Sequence, residues 1–222
     1  MPYSPTSARL KSLMSVVLIG ANPGVLLHSE GRPVAFASVW SVEWSRWGRG
    51  SALMLATESG WITAGSDEHL ARILLDRFTR HFPEAAEFGW DTRVHHVAGR
   101  TRVDVDAGRG MRARAPGIQV DISDVLDRRH IVEPTFRLGD ATVSLSNVYL
   151  PCGEATISVD GEILTGAPMI TEVDGRQSST AYLAMAEVWV DPFGALGLPI
   201  HRPERDDDAV RGRHLRALRP PM

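Results

Sequence analysis

Four ionisable residues adjoin apolar runs and are candidates for acid or base chemistry. Glu43 and Glu133 lie within or directly after such runs, and His96 and His130 each flank one. Burial beside an apolar run raises the pKa of a carboxyl group and tunes that of an imidazole, so that either can exchange a proton near neutral pH. We therefore expect an acid/base group among these four residues. The alternative, left open, is that they face water on an ordinary two-faced sheet.

Two tryptophans in one apolar run are candidate ligand-binding residues. Side chains alternate between the two faces of a β-strand, so Phe36, Trp40 and Trp44 share a face there. In a helix Trp40, Trp44 and Trp47 would share a face instead, but the preceding run from Val34 favours a strand. We expect Trp40 and Trp44 to bind substrate, because aromatic rings stack against flat ligands. Ordinary core packing is the alternative.

Motifs for metals, nucleotides and covalent nucleophiles are missing from the sequence. The single cysteine, Cys152, has no base near it in sequence, and Glu154, two residues further on, would raise its pKa. Histidine pairs at metal-binding spacing, a Walker loop and the G-x-S-x-G elbow do not occur, so no metal site is expected. The cofactor is unknown, with flavin or haem as alternatives that no motif supports.

Composition narrows the function class. The 222 residues carry a net charge of -3, which excludes a globally basic nucleic-acid binder. Hydrophobic residues make up 43% of the chain, as is ordinary for a globular protein. No apolar run reaches the roughly 18 residues that a membrane span needs. Lys11 is the only lysine among 24 basic residues, a bias typical of GC-rich coding sequences. We expect a cytoplasmic protein with a small-molecule ligand, no nucleic-acid or membrane partner, and a possible homodimer.

Hairpin signals recur along the chain between apolar runs. Two of the six are Asp-Gly pairs, whose residues tolerate the positive φ angles of a type I′ turn. Six such joints predict a sheet of mainly antiparallel strands. The turns are Ser29-Glu30-Gly31, Glu58-Ser59-Gly60, Asp106 to Gly110, Leu138-Gly139-Asp140, Asp160-Gly161 and Asp174-Gly175.

Residues 66–82 break the strand pattern and predict an amphipathic helix. Ser66 could cap its first turn, and Pro83 marks its end. A second helical turn is a weaker expectation over residues 122–129. The apolar face of the main helix has helical spacing and consists of Leu70, Ile73, Leu74, Phe78 and Phe82.

The chain reads as one domain with loose ends. Residues 1–13 are polar and form an expected arm, residues 14–200 the β-rich domain, and residues 201–222 a polar tail with few apolar anchors. The predicted fold is α+β, a predominantly antiparallel β-barrel or strongly bent sheet with one packed amphipathic helix. Barrel closure would remove exposed strand edges. In layout alone the chain is similar to flavin-binding split barrels and lipocalin-like barrels, a likeness that transfers no site.

Three functions follow from this fold. The leading expectation is a small-molecule-binding β-barrel protein, inclining towards an enzyme that acts by acid/base chemistry on an apolar or aromatic metabolite inside the barrel. The first alternative is a flavin- or haem-dependent oxidoreductase on a split-barrel-like fold. The second is a non-catalytic interaction or assembly protein that uses sheet edges and its arginine-rich tail.

Overall fold

The computed structural model describes residues 15–89 and 94–190 and confirms a mostly β protein with one α-helix. The predicted arm at 1–13 and the tail at 201–222 lie outside the described residues. Within the described ranges sixteen strands form one sheet of fourteen strands and a separate two-stranded hairpin.

The strands follow one another closely, with one helical segment between the fifth and the sixth. In chain order the strands are β1 (Ser15–Ala21), β2 (Gly24–Ser29), β3 (Arg32–Ser45), β4 (Gly50–Thr57), β5 (Gly60–Gly65), β6 (Val94–Ala98), β7 (Arg102–Asp106), β8 (Gly110–Ala115), β9 (Ile118–Val125), β10 (Arg129–Leu138), β11 (Ala141–Val159), β12 (Glu162–Ile163), β13 (Ala167–Pro168), β14 (Ile170–Val173), β15 (Arg176–Ser179) and β16 (Ala181–Val190). The helical segment comprises α1 (Glu68–Arg77) and two 3₁₀ turns, Thr79–His81 and Pro83–Glu87.

All six predicted hairpins form as antiparallel pairs. At the two Asp-Gly turns both central residues have positive φ, with Asp160 at 51° and Gly161 at 88° in the first. A type I′ turn needs this geometry, and its twist matches that of the flanking strands. These local turn residues therefore determine which neighbouring strands pair.

The order of strands in the main sheet is β6-β5-β4-β3-β1-β16-β11-β9-β8-β7, with β2 bridging β3 and β16. β10 and β12 pair with β11, and β13 pairs with β2. Every pair is antiparallel except β5 with β6. That pair is parallel because α1 carries the chain back between the two strands, as a crossover must.

The strands at the centre of the sheet are buried on both faces. On β3 the side chains of Phe36 and Trp40 belong to one core, together with α1, while Ala37 and Val39 belong to the other. We call these the helix-side core and the far-side core. The far-side core also contains Val120 and other residues of β8 and β9, which come from the opposite end of the strand order.

The helix is shorter than the sequence predicts. Asp67, rather than Ser66, caps α1, because its carboxylate accepts a hydrogen bond of 2.9 Å from the backbone N–H of Leu70. α1 ends at Arg77, and Phe82 lies beyond it between the two 3₁₀ turns. Leu70 and Leu74 are buried as predicted, since they face the sheet.

The second helical turn does not form. Ile122 lies in β9, which runs to Val125, and the chain resumes as a strand at Arg129. β9 pairs on one side with β8 and on the other with β11, so sheet hydrogen bonds replace those of a helical turn.

A buried hydrogen-bond chain joins the first 3₁₀ turn to the sheet. The indole Nε1 of Trp40 donates to Oγ1 of Thr79 at 3.0 Å, and Oγ of Ser38 lies 3.3 Å from the same oxygen. The amide nitrogen of Asn22 donates to that serine oxygen at 3.0 Å. Ser38 and Thr79 have no exposed surface. Each group in the chain therefore relies on its protein partner.

Replacing the Thr79 hydroxyl tests this chain. Thr79→Val keeps the shape of the side chain but leaves the buried Trp40 N–H without an acceptor, so we expect the free energy of unfolding to fall by about 1–3 kcal/mol. Urea unfolding followed by circular dichroism measures it. Thr142→Val, at an exposed position on β11, is the matched control and should change stability by less than about 0.5 kcal/mol. Equal effects at the two sites would contradict the structural role of Thr79.

Candidate functional site

A cavity of about 490 Å³ opens on the helix side of the sheet. Alternate residues of β1, β16, β11 and β10 line it, and the segment after α1 completes the wall. Because side chains alternate along a strand, one face of these four strands turns towards the cavity while the other turns away. The cavity therefore borders the helix-side core, whereas the sequence placed the ligand inside a barrel.

Small side chains in neighbouring strands create the space. Gly20 pairs with Ala186, Ala186 with Asn147, and Asn147 with Ile131, so these four residues form one row across the sheet. The side chain of Gly20 is a single hydrogen and that of Ala186 is a methyl group. Ala184, two residues before Ala186 on β16, also lines the cavity. The middle of the sheet thus lacks the bulk that would fill the cavity.

Aromatic rings form the wall opposite the small residues. Trp40 stacks on Phe82, with ring centroids 6.2 Å apart and ring planes inclined by 21°. Trp40 also meets Phe78 edge to face at 5.5 Å. All three residues line the cavity. Their apolar surface suits an apolar ligand, because burial of such surface drives small-molecule binding.

One carboxyl group and two phenolic hydroxyl groups belong to residues that line the same cavity. Glu84, half-buried in the second 3₁₀ turn, has its pKa raised by burial. Burial also raises the pKa of Tyr149 and, further, that of Tyr182, and the negative charge of Glu84 adds to both effects. The tyrosine rings lie 5.5 Å apart. These three groups therefore share a poorly solvated region in which negative charge is unfavourable.

Two asparagines add polar atoms to the lining. Asn22 is held by its side-chain nitrogen, which donates to Oγ of Ser38 and to the carbonyl of Val39 at 2.9 Å. Asn147 differs, since its Oδ1 is buried and has no hydrogen-bond partner among the described residues. A buried acceptor without a donor is uncommon in folded proteins.

Two of the six predicted site residues line this cavity. Trp40 belongs to its aromatic wall, and Glu133 lies opposite Leu145 on β10 with its carboxylate accepting hydrogen bonds from the Thr135 backbone and hydroxyl. Glu133 is half-buried. Strand alternation places both side chains on the cavity side of the sheet.

Trp44 lies outside the cavity because β3 contains a bulge at Glu43, and Glu43 does not line the cavity either. Trp44 pairs with Ile19 while Val42 pairs with the next residue, Gly20, so Glu43 is left as an extra residue. The bulge reverses the alternation, and the Trp44 side chain is 47% exposed against 4% for Trp40. The shared face expected for Trp40 and Trp44 therefore does not form.

The two predicted histidines also lie elsewhere. His130 precedes the cavity residue Ile131 on β10, so its side chain turns away, where Nε2 lies 3.1 Å from Oγ of Ser146. His96 lies on β6 at the other end of the sheet, with Nδ1 3.0 Å from Oγ1 of Thr63. Across residues 15–89 and 94–190, no three His, Cys, Asp or Glu side chains are grouped to hold a metal ion.

Sequence reasoning missed most of the polar lining. Every second residue of β16 lines the cavity, and this alternation shows which residues share a face but not which part of the protein that face meets. These residues are Tyr182, Ala184, Ala186 and Val188. Asn147 and Tyr149 follow the same period on β11. Glu84 lies in a 3₁₀ turn, and no periodicity links it to the strands it meets. The signal that could have found these residues is the small-residue pattern on β16.

No protein-family model, curated protein or solved structure matches this chain. In the described part of the chain, no helix has the length and apolar character needed to cross a membrane.

The raised pKa of Glu84 predicts how stability depends on pH. The unfolded state releases this proton at lower pH than the folded state, so deprotonation progressively destabilises the folded protein as pH rises through the folded-state pKa. Glu84→Gln removes that cost. We expect the variant to be more stable than the wild type at pH 7 and the difference to shrink towards pH 4, measured by urea unfolding at several pH values.

Glu87→Gln provides the control in the same 3₁₀ turn. Glu87 is exposed, and its replacement removes an equal charge without relieving burial. A stability difference for Glu84→Gln that is independent of pH, or that matches the Glu87→Gln difference throughout, would contradict burial of the Glu84 carboxyl group.

Proposed function

We propose that this protein binds an apolar small molecule in the helix-side cavity. The observation that carries the proposal is a space of about 490 Å³ lined by apolar side chains, with a few polar groups converging on it. Small-molecule sites have volumes of about 300–1,000 Å³ and this kind of lining. Tightly packed domains rarely retain so large a space without a use, because side chains at the lining lose packing contacts.

In this proposal the sheet is strongly bent and supports the cavity on its helix side. Residues from β8 and β9 share the far-side core with residues from β2 to β5, although these strands lie at opposite ends of the order. A strongly bent or barrel-like sheet would bring them together. Such a scaffold has its far face filled by side chains and leaves the helix-side face for the ligand.

Acid/base catalysis on the bound molecule is the second part of the proposal. Glu84 is the best placed group, since burial raises its pKa and two phenols lie close enough to sense its charge. A carboxyl group with a raised pKa can take up and release a proton closer to neutral pH. In this role Glu84 replaces the four candidates chosen from the sequence, of which only Glu133 reaches the cavity.

Binding of a neutral apolar dye tests the proposal. N-phenyl-naphthylamine fluoresces strongly only in apolar surroundings, and we expect the wild-type protein to raise its fluorescence in a saturable titration. Ala186→Phe places a ring in the middle of the cavity and should weaken dye binding at least tenfold, while Ala186→Leu should give an intermediate loss.

The matched control is Ala98→Phe, the same change at an exposed position of β6 remote from the cavity. It should bind the dye as the wild type does, and circular dichroism should show that all variants are folded. Absence of saturable binding to the wild type, or equal affinity of Ala186→Phe and Ala98→Phe, would reject the cavity as a ligand site. A flavin or haem absorbance band in the purified protein would reject a colourless apolar ligand.

A further inference from the structure

The charges around the cavity have one sign. Glu84 and Glu133 line it, and no basic side chain does so among the residues that the structure describes. In poorly solvated surroundings an uncompensated carboxylate attracts a cation more strongly than it would in water. A ligand with a negative group would meet repulsion from both residues, so the lining discriminates between ligands by their charge.

Arg129 interacts with the cavity residue Tyr149 but is not part of the lining. Arg129 has a favourable charge interaction with Tyr149, but its Nε donates to Oδ2 of Asp127 at 2.9 Å and its terminal nitrogen donates to the carbonyl of Gln177. Arg176 donates to the other oxygen of Asp127 at 2.7 Å. Both guanidinium groups are thus paired with this carboxylate, which limits the positive charge they offer to the cavity.

The Glu84 carboxylate also selects for hydrogen-bond donors. In its charged form this side chain can only accept hydrogen bonds. A ligand that carries several N–H donors can satisfy its oxygens, whereas a ligand that only accepts hydrogen bonds leaves them without partners.

Aromatic side chains of the lining also favour a cation. Trp40, Tyr149 and Tyr182 all line the cavity, and the negative face of an aromatic ring attracts a cation within about 6 Å. Apolar walls, aromatic faces and a carboxylate together suit an organic ammonium group attached to an apolar body.

We propose that the ligand of this cavity is an apolar molecule that carries a protonated amine, with its ammonium group directed to the Glu84 carboxylate. This inference rests on the proposed function, because it specifies the chemistry of the molecule that the cavity binds. The aromatic wall of Trp40 and Phe82 holds the apolar body.

Displacement of the neutral dye by three matched ligands tests the inference. Phenylbutylamine, phenylbutanol and phenylbutanoate share a ring and a chain and differ only in the polar end. At pH 7 we expect the amine to displace the dye at a concentration about tenfold below that of the alcohol, equivalent to about 1.4 kcal/mol, and the carboxylate to be the weakest.

One variant and its control connect the preference for the amine to the Glu84 carboxylate. Glu84→Gln should reduce the preference for the amine over the alcohol about tenfold, with both ligands measured against the dye affinity of that same variant, and Glu87→Gln should leave the preference unchanged.

The outcomes separate this inference from the function it specifies. Dye binding with an alcohol or carboxylate that competes as well as the amine would overturn the amine inference and leave the cavity as a ligand site. An amine preference that survives Glu84→Gln would also overturn it. Failure of the wild-type protein to bind the dye would reject the proposed function itself.

Discussion

The buried hydroxyl of Thr79 joins the two parts of the protein that form the cavity. It accepts the indole hydrogen of Trp40 and contacts Ser38, which in turn accepts from Asn22 at the corner between β1 and β2. The backbone N–H of Asn22 then donates to the carbonyl of Ala184 on β16. One polar chain thus runs from the segment after α1, across β3, to the strand that forms the cavity floor. Since its inner groups are shut off from water, the segment cannot leave the sheet without breaking it.

This connection places the aromatic and acidic residues over the sheet. Phe78 directly precedes Thr79, and Phe82 and Glu84 follow within five residues, so the anchored turn brings all three to the cavity. Two successive 3₁₀ turns, with Pro83 opening the second, replace a longer helix and change the direction of the chain. A continued α-helix would direct these side chains according to a 3.6-residue period instead.

The cavity combines features that weaken the fold. Small residues on β1 and β16 forgo packing, the Glu84 carboxyl group is desolvated, and Oδ1 of Asn147 has no partner. By contrast, the central part of β3 and most of β4 are buried on both faces. Such local costs are typical of binding and catalytic sites, where the structure around them supplies the missing stability. Their concentration at one place is the physical basis for treating the cavity as the site.

Much of the fold follows from short-range patterns in the sequence. Positive φ angles at Asp-Gly turns select tight hairpins, and an acidic cap followed by apolar residues at helical spacing starts α1, so these elements depend on neighbours along the chain. The site depends on neighbours in space. Strand alternation selected Trp40 and a preceding apolar run selected Glu133, both signals that need no reference to distant residues, and both residues line the cavity.

Tertiary structure decided where the other candidate residues point and which side chains they meet. The bulge at Glu43 results from the register between β1 and β3 and turns Trp44 to the surface. Glu84 reaches Tyr149 and Tyr182 only because the Thr79 contact folds its segment over strands far away in sequence. Local propensities act over a few residues, whereas register, bulges and long-range hydrogen bonds are properties of the assembled sheet. The sequence alone therefore determined the hairpins and the helix, and the packing of the sheet against the segment after α1 decided the cavity and its chemistry.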